Sequence, residues 1–204
     1  MTPTQVAGPP ASGVRRGGRP RSAEADVAIL DAATEEFIEH GLDGMSVDEV
    51  ASRAGVSKAT IYRRYPSKLA LVVAAARQCR MQDVVVGETG VLEHDLRALA
   101  RATVQMLRSS QAGRAIPRMI ADSARQQQLA HERRALVVDR RAQPVALVEH
   151  AIARGELQAG TDPAVVVDML AAPLFYRSLL SGEPSDDAYI DELVAAVLRA
   201  FRRG

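Results

Sequence analysis

Four positively charged side chains lie close together in residues 54–72, with no acidic residue among them. They are Lys58, Arg63, Arg64 and Lys68, and both lysines of the chain belong to this group. Ammonium and guanidinium groups bind phosphate oxygens, and they can also hydrogen-bond the edge of guanine in the major groove of DNA. The spacing therefore indicates either an ordinary solvated helix face or a surface that meets a negatively charged partner.

The charge pattern separates the first 80 residues from the rest of the chain. Residues 1–23 contain four basic side chains and no acid, residues 24–52 contain nine acids and neither lysine nor arginine, and residues 53–80 contain seven basic side chains and no acid. The remainder is nearly balanced, and the chain carries a formal net charge of +1. This pattern predicts an end that binds a polyanion and a body with another role.

Composition argues against several other classes of protein. Hydrophobic residues make up 47% of the 204 residues and charged residues 25%, as in globular proteins. Cys79 is the only cysteine, and there is neither a signal-peptide pattern nor an apolar run of about 18 residues, so we expect a cytoplasmic protein without a membrane partner.

The histidines are too widely spread to suggest a metal site, and no catalytic pattern is recognisable. We therefore predict no metal, no cofactor and no enzyme activity.

Caps and apolar stripes along the chain predict an all-α protein. Residues 1–21 are rich in proline, glycine and serine and are predicted to form a disordered basic tail. A first helix is predicted from Ser22, its N-cap, to His40, because apolar residues recur at helical spacing and Gly41 can end the helix. The same helical periodicity continues through the rest of the chain.

The clearest local signal is a helix-turn-helix. Ser46 and Glu49 form the S-x-x-E pattern of a capping box, which predicts the start of a second helix. Gly55 permits a tight turn, Ser57 is placed to cap a short third helix, and Pro66 ends that helix. The order of helix, glycine turn and short helix matches the helix-turn-helix unit of DNA-binding proteins.

The third helix is predicted to have an inner and an outer side. Val56, Ile61 and Tyr65 fall on one side and are expected to pack against the two preceding helices. A major groove admits one helix between walls of phosphate, and helix N-termini near Ser46 and Ser57 can bind phosphate. The side chains expected to face outward are Lys58, Ala59, Thr60, Tyr62, Arg63 and Arg64.

Residues 83–204 are predicted to form a second, all-helical domain. The last two helices, about 162–181 and 186–202, carry more apolar residues than one monomer face needs, which predicts a four-helix bundle between two copies. The predicted dimer interface consists of Leu170, Leu174, Leu180, Leu193, Val197 and Phe201. An aliphatic pocket with few polar anchors is also expected, and its candidates are Arg118, Met119, Asp122 and Arg177. Buried ion pairs or surface charges explain these polar residues equally well.

The segment ILDAATEEFIEHGLDGMSVDEVASRAGVSKATIYRRYPSKLALV resembles the N-terminal domain of the TetR family of transcriptional regulators. The resemblance covers roughly residues 22–75, and a looser one links EHAIARGEL and DMLAAPLFYRSLLSGEP to regulatory domains of one branch of the family. We therefore predict a helix-turn-helix DNA-binding domain with its connecting helix over residues 22–82, followed by a regulatory and dimerisation domain over residues 83–204. The resemblance also implies phosphate contacts from Ser46, Thr60, Tyr62 and Lys68, and base contacts from Lys58, Ala59 and Arg63.

The basic tail is a second candidate for contact with DNA. Its stretch RRGGRPRS, residues 15–22, has a Gly-Arg-Pro core that resembles minor-groove AT-hook peptides. Arginine-bearing arms of other proteins reach the minor groove in this way. We therefore predict that Arg19 and Arg21 touch DNA, with an inert tail as the alternative.

Together these features predict a homodimeric transcriptional regulator, most simply a repressor, that a small-molecule effector releases from double-stranded DNA. A two-fold dimer would place its recognition helices about 34 Å apart, so a near-palindromic operator is expected. Two alternatives remain open. One is a DNA-binding dimer without ligand control, and the other is a small helical enzyme with a DNA-binding appendage.

Overall fold

The computed structural model describes residues 20–80 and 87–202, leaving out the side chains of residues 20–22 and 80. Within these ranges every regular element is helical, which confirms the all-α prediction. The predicted tail lies outside the described residues, apart from the backbone that begins the first helix. The helices are α1 (Pro20–Gly44), α2 (Val47–Ala54), α3 (Lys58–Arg64), α4 (Lys68–Arg80), α5 (Leu92–Ser109), α6 (Gln111–Ser123), α7 (Gln127–Ala153), α8 (Pro163–Tyr176) with a π-helical turn (Arg177–Ser181), and α9 (Asp187–Phe201).

Helix α1 is broken at Gly41, close to the point where the sequence predicted its end. It begins at Pro20, ahead of the predicted start at Ser22. Gly41 has a left-handed φ of 68°, which favours glycine. A Cβ atom at this position would also lie 2.8 Å from an oxygen of Asp122 on α6. Glycine is therefore required both by the backbone and by the close approach of another helix.

The first hydrophobic core is built around α1. Ile29, Ala33 and Phe37 face α2, α3 and α4, and the α3 residue Ile61 is almost fully buried among them. Met119 of α6 belongs to the same core, and so does Leu129 of α7. The first core therefore extends beyond the segment that the sequence predicted as the DNA-binding domain.

The second core joins α5, α7, α8 and α9, and it corrects the predicted dimer interface. Leu170, Leu174 and Val197 are buried in this core inside a single chain, while Leu193 and Phe201 pack partly buried against it. Side chains enclosed by their own chain cannot form the centre of a contact with another copy. Of the predicted interface residues, Leu180 alone is largely exposed, with 78% of its surface accessible.

Helix α8 has an apolar outer side as well as an inner one. Val165, Met169, Tyr176 and Leu180 are exposed and recur at the spacing of one helix face. The segment Pro163–Ser181 is long and apolar enough to cross a membrane by length and composition, which is weak evidence by itself. Its inner side packs in the second core, so two apolar sides account for its composition.

Candidate nucleic-acid interface and adjoining cavity

The turn between α2 and α3 has the geometry that the sequence predicted. The Ser46 hydroxyl accepts a hydrogen bond from the N–H of Glu49, and the Ser57 hydroxyl accepts one from the N–H of Thr60. Gly55 is left-handed, with φ 65°, and its N–H bonds the end of α2. The partly buried Val56 follows it and packs against the first core. Local capping therefore positions the short helix α3 on the surface.

The capping box at the start of α2 is only half formed. The side chain of Glu49 bonds Arg53 at 3.1 Å instead of returning to the N–H of Ser46. That N–H donates to Oε1 of the buried Glu36, at 2.9 Å. The acceptor thus comes from α1, which ties the helix-turn-helix to the first core.

Helix α3 turns one side inward and one side to solvent. Ile61 is buried, and Tyr65 is partly buried against the first core, where burial raises the pKa of its phenol. Ala59, Tyr62 and Arg63 are exposed on the opposite side. A protruding helix with an exposed tyrosine and arginine can enter a major groove.

Lys58 is exposed at the start of α3 but is held by an acid of α2. Its Nζ lies 2.8 Å from Oδ2 of Asp48, and this hydrogen bond raises the pKa of the lysine. The ammonium therefore stays charged, and to contact a phosphate or a base it would first have to leave Asp48. The competing carboxylate could not be recognised from the basic segment alone.

Arg64 does not lie on the outer side, so the expectation of an outward orientation is wrong. Its guanidinium forms an ion pair with Asp26 of α1 at 2.9 Å, and only 22% of its side chain is exposed. Arg63 and Arg64 are neighbours in sequence, yet their side chains leave α3 in different directions because successive helical residues are about 100° apart. Arg64 therefore connects α3 to α1.

Three further predicted contact residues lie at helix starts around the same surface. Ser57 and Thr60 share a hydrogen bond between their hydroxyls at 2.9 Å. Lys68 begins α4 and donates to the carbonyl of Asp43 at 3.3 Å. The predicted contacts of Arg19 and of the Arg21 side chain lie outside the described part of the structure.

A group on α1 has the donor atoms of a metal site. Glu36, Glu39 and His40 place one ligand atom each within reach of a single ion. The guanidinium of Arg53 already lies 2.9 Å from Glu39 and 3.4 Å from Glu36, and its hydrogen bond lowers the pKa of Glu39. An internal cation therefore compensates these carboxylates. Histidine spacing alone missed the group, although the i, i+3, i+4 pattern marks it.

A cavity of about 500 Å³ lies between helices α1 and α4 and the helices of the body. Residues of α1 and α4 form one wall, and residues of α5, α6, α7 and α8 form the others. Its volume is in the range of small-molecule sites. The wall nearest the helix-turn-helix consists of Thr34, Phe37, Val72, Ala75, Ala76 and Cys79.

Of the four residues predicted for the pocket, Met119 lines the cavity and the other three do not. Arg177 stacks on the ring of Tyr189 at 3.5 Å and pairs with Glu183. Arg118 and Asp122 lie on the opposite side of α6, against α1. These polar residues serve contacts between helices, which was one of the explanations that their sequence context left open.

Helix α6 contacts α1 through a row of polar side chains. Gln111 bonds the carbonyl of Asp31, and Arg114 pairs with Glu35 one turn later. Arg118 bonds the carbonyl of Glu39 at 3.2 Å. Asp122 is buried and accepts the N–H of Leu42 at 2.8 Å, next to the break in α1. We call this row the α1–α6 ladder.

The charged residues of the cavity were not predicted from the sequence. Arg133, Arg140 and Arg141 of α7 line it, together with Asp168 of α8. Leu136, Val137 and Pro144 lie on the same side of α7. The signal was present as a helical spacing of residues 133, 136, 137, 140, 141 and 144, but the many arginines of the chain obscured it.

A capped helix-turn-helix with an exposed basic helix, joined to a helical body with a cavity, defines a DNA-binding regulatory protein. Residues 29–75 match the family described as bacterial regulatory proteins, tetR family. Residues 86–197 match the family described as tetracyclin repressor-like, C-terminal domain. The chain belongs to the TetR family of transcriptional regulators.

Individual relatives agree over nearly the whole chain. The transcriptional regulator YdeS of Bacillus subtilis is 35% identical over 186 residues, covering 91% of this chain and 92% of the relative. The DNA-binding transcriptional repressor TetR of Mycobacteroides abscessus is 35% identical and covers 91% and 96%. The crystal structure of the regulator SCO0332 has a TM-score of 0.65 at 30% identity and covers 86% and 97%. These relatives are transcriptional regulators and not enzymes.

Proposed function

We propose that this regulator is a homodimeric repressor that a small molecule releases from a palindromic operator. The observation that carries ligand control is the cavity of about 500 Å³, because α1 and α4 supply one of its walls. Helix α1 packs against α2, and α4 follows α3 directly in the chain. Repression is supported by the Mycobacteroides abscessus relative, whose name describes it as a DNA-binding transcriptional repressor.

The proposed DNA surface divides into residues that read bases and residues that hold phosphates. Ala59 and Arg63 are exposed on α3 and can reach base edges, with Lys58 beside them once Asp48 releases it. Other side chains, on α3 or next to it, suit phosphate contacts. They are Ser46, Ser57, Thr60, Tyr62 and Lys68. Arg64 is left out of this surface because it pairs with Asp26.

The proposed dimer contact uses the outer side of α8 in place of the buried leucines first predicted. Val165, Met169, Tyr176 and Leu180 form an exposed apolar stripe there. Apolar stripes of this kind mark protein contacts, and a two-fold axis would bring two such stripes together. The arrangement would pair two α3 helices for successive major grooves.

Ligand control would act through α6. One side of α6 lines the cavity with Ala115, Ile116 and Met119, and the other side carries the α1–α6 ladder that ends at Asp122. A compound that displaces α6 would therefore move the break in α1 just ahead of α2. If the compound prefers the displaced arrangement and the operator prefers the other one, each weakens the binding of its counterpart by the same factor. Such a coupling is typically worth about 1–3 kcal/mol.

The DNA part of the proposal is tested with a pair of neighbouring arginines. Fluorescence anisotropy compares duplex from beside the protein's own gene with scrambled duplex across a salt series. We expect two protomers per site and a preference of at least about a thousandfold. Arg63→Ala should cost about 1–3 kcal/mol on the specific duplex and little on the scrambled one.

Arg64→Ala is the matched control, since that side chain faces α1. It should lower the melting temperature and leave operator affinity close to that of the wild type when both are folded. If the two variants lost the same amount of operator affinity, the proposal that Arg63 faces DNA and Arg64 faces α1 would be contradicted.

The ligand part is tested by filling the cavity. A compound screen for release of the operator is repeated with Ala171→Phe, which places a ring in the cavity, and with Ala135→Phe, which alters an exposed position of α7 outside its lining. Compounds that release the wild type and Ala135→Phe should fail to release Ala171→Phe. Release that is unaffected by Ala171→Phe would reject this cavity as the effector site, and operator binding that responds to no compound would favour the dimer without ligand control.

A further inference from the structure

The cavity carries more positive than negative side chains. Three arginines of α7 and one aspartate line it, and its other lining residues are apolar or, as with Thr34 and Thr103, small and uncharged. Asp168 is already paired with Arg141, at 2.9 Å. Asp168 therefore does not compensate Arg133, and the positive charge of Arg133 favours an anionic occupant.

Arg133 is the residue best placed to receive an anion. The Nε atoms of Arg133 and Arg141 are both buried and without a hydrogen-bond partner among the described residues, but Arg141 is already paired with Asp168. A buried donor without an acceptor is unfavourable, so a shift of the guanidinium that brings its Nε to an acceptor atom of a bound molecule is favoured. The planar guanidinium matches the paired oxygens of a carboxylate or phosphate.

The opening of the cavity lies near Arg133. Val137, one helical turn further along α7, lines the cavity and yet is 46% exposed, and Ile120 of α6 lines it and is 50% exposed. Side chains that line the cavity and are also exposed to solvent mark the opening of the cavity. A charged group held by Arg133 would then keep some contact with water, which reduces the cost of burying it.

The interior of the cavity suits a hydrocarbon chain. Phe37, Val72, Leu99, Leu170 and Phe175 line it, and none of them offers a polar side-chain atom. A small neutral or polar molecule would leave this surface poorly covered. The combination of an apolar interior and a guanidinium near the opening selects molecules with two chemically different ends.

We propose that the cavity binds an amphipathic anion, an aliphatic chain that ends in a carboxylate or a phosphate, with Arg133 holding the charged end. This inference rests on the proposed function, because it names the class of effector for the same cavity. The chain lies among the apolar side chains behind α4 and α6, and the head group lies beside α7.

Calorimetric titration of the full-length protein tests the class directly. The probes are laurate, monododecyl phosphate and 1-dodecanol, each kept below its micelle or solubility limit. We expect at least one of the two anions to bind tenfold or more tightly than the alcohol, and the tighter anion identifies the head group. Arg133→Met should abolish this preference and retain binding of the alcohol.

Arg134→Met is the matched control, because Arg134 is exposed on the same helix and does not line the cavity. It should keep the preference of the wild type. Equal binding of the three probes, binding of none of them, or an unchanged preference in Arg133→Met would overturn the proposal.

Operator release, measured with the same probes, separates this proposal from the proposed function. Anions that bind through Arg133 but leave operator affinity unchanged would support the anion site and reject ligand control. Release by 1-dodecanol with no preference for the anions would retain ligand control and reject the anionic class.

Discussion

The two halves of the molecule use their apolar residues differently. Helices α2–α4 are short, begin at side-chain caps and, with α1, enclose a core in which Ile61 and Leu71 are almost fully buried. Helices α5–α9 are longer, border a cavity and expose an apolar stripe on α8. A surface that reads DNA must hold its side chains rigidly, whereas a domain that responds to a small molecule needs space and a second arrangement.

Helix α6 belongs to both halves. Met119 contributes to the core of the DNA-binding half and also lines the cavity. The ladder to α1 lies on its other side, and the buried Gly113 lets its first turn approach the end of α5. Within the described residues the two halves therefore share a helix, and under the proposed function a change at the cavity would reach the break in α1 through it.

The largest expected effect tests the contrast in packing. Ile61→Ala should lower the free energy of unfolding by about 2–5 kcal/mol, because it leaves a void in a closed core. Leu136→Ala removes a similar side chain that borders the cavity, so it should cost less than half as much. Urea unfolding measures both. Equal costs would show that the body is packed as tightly as the DNA-binding half.

A second prediction tests the exposed stripe of α8 against an exposed apolar residue of α7. Met169→Glu places a carboxylate on the exposed stripe, and a two-fold contact would receive two of them, so the dissociation constant of the dimer should rise at least about tenfold. Val138→Glu alters a valine of α7 that is also exposed and is the control. Sedimentation velocity over a concentration series measures both. An unchanged dimer in Met169→Glu would move the contact away from this stripe.

The α1–α6 ladder gives the third prediction. Asp122→Ala leaves the N–H of Leu42 without its buried acceptor and should destabilise the protein by about 1–3 kcal/mol. Asp122→Asn keeps an acceptor oxygen and should recover most of this loss. Thermal unfolding and operator titration are both measured. If the two variants lose the same amount, the charge of Asp122, rather than its hydrogen bond, holds α6 to α1.

The smallest effect concerns the ion pair on the DNA surface. Asp48→Asn frees Lys58 and removes a negative charge beside α3, so binding to specific and scrambled duplex should tighten severalfold at low salt. The gain should shrink as salt is raised. Glu192→Gln on α9, an exposed acid far along the body, should leave DNA affinity unchanged. Weaker binding by Asp48→Asn would mean that the pair positions Lys58 for contact.

Much of the DNA-binding half was predictable from sequence because its signals are local. The caps of Ser46 and Ser57 act over three residues, and the turn at Gly55 depends on one backbone conformation. The apolar side of α3 follows from helical periodicity. The family resemblance rests on the same short-range features, which is why family membership and the all-α fold follow from the sequence alone.

Tertiary structure alone decided where the longer-range partners lie. Arg64 turns to Asp26, Asp122 caps the break in α1, and Leu170 and Leu174 face their own chain. Periodicity shows that a helix has an apolar side but not which surface covers it, and it cannot tell burial within a chain from burial between copies. The cavity likewise forms where six helices leave space between them, and that depends on how the helices pack rather than on any one of them.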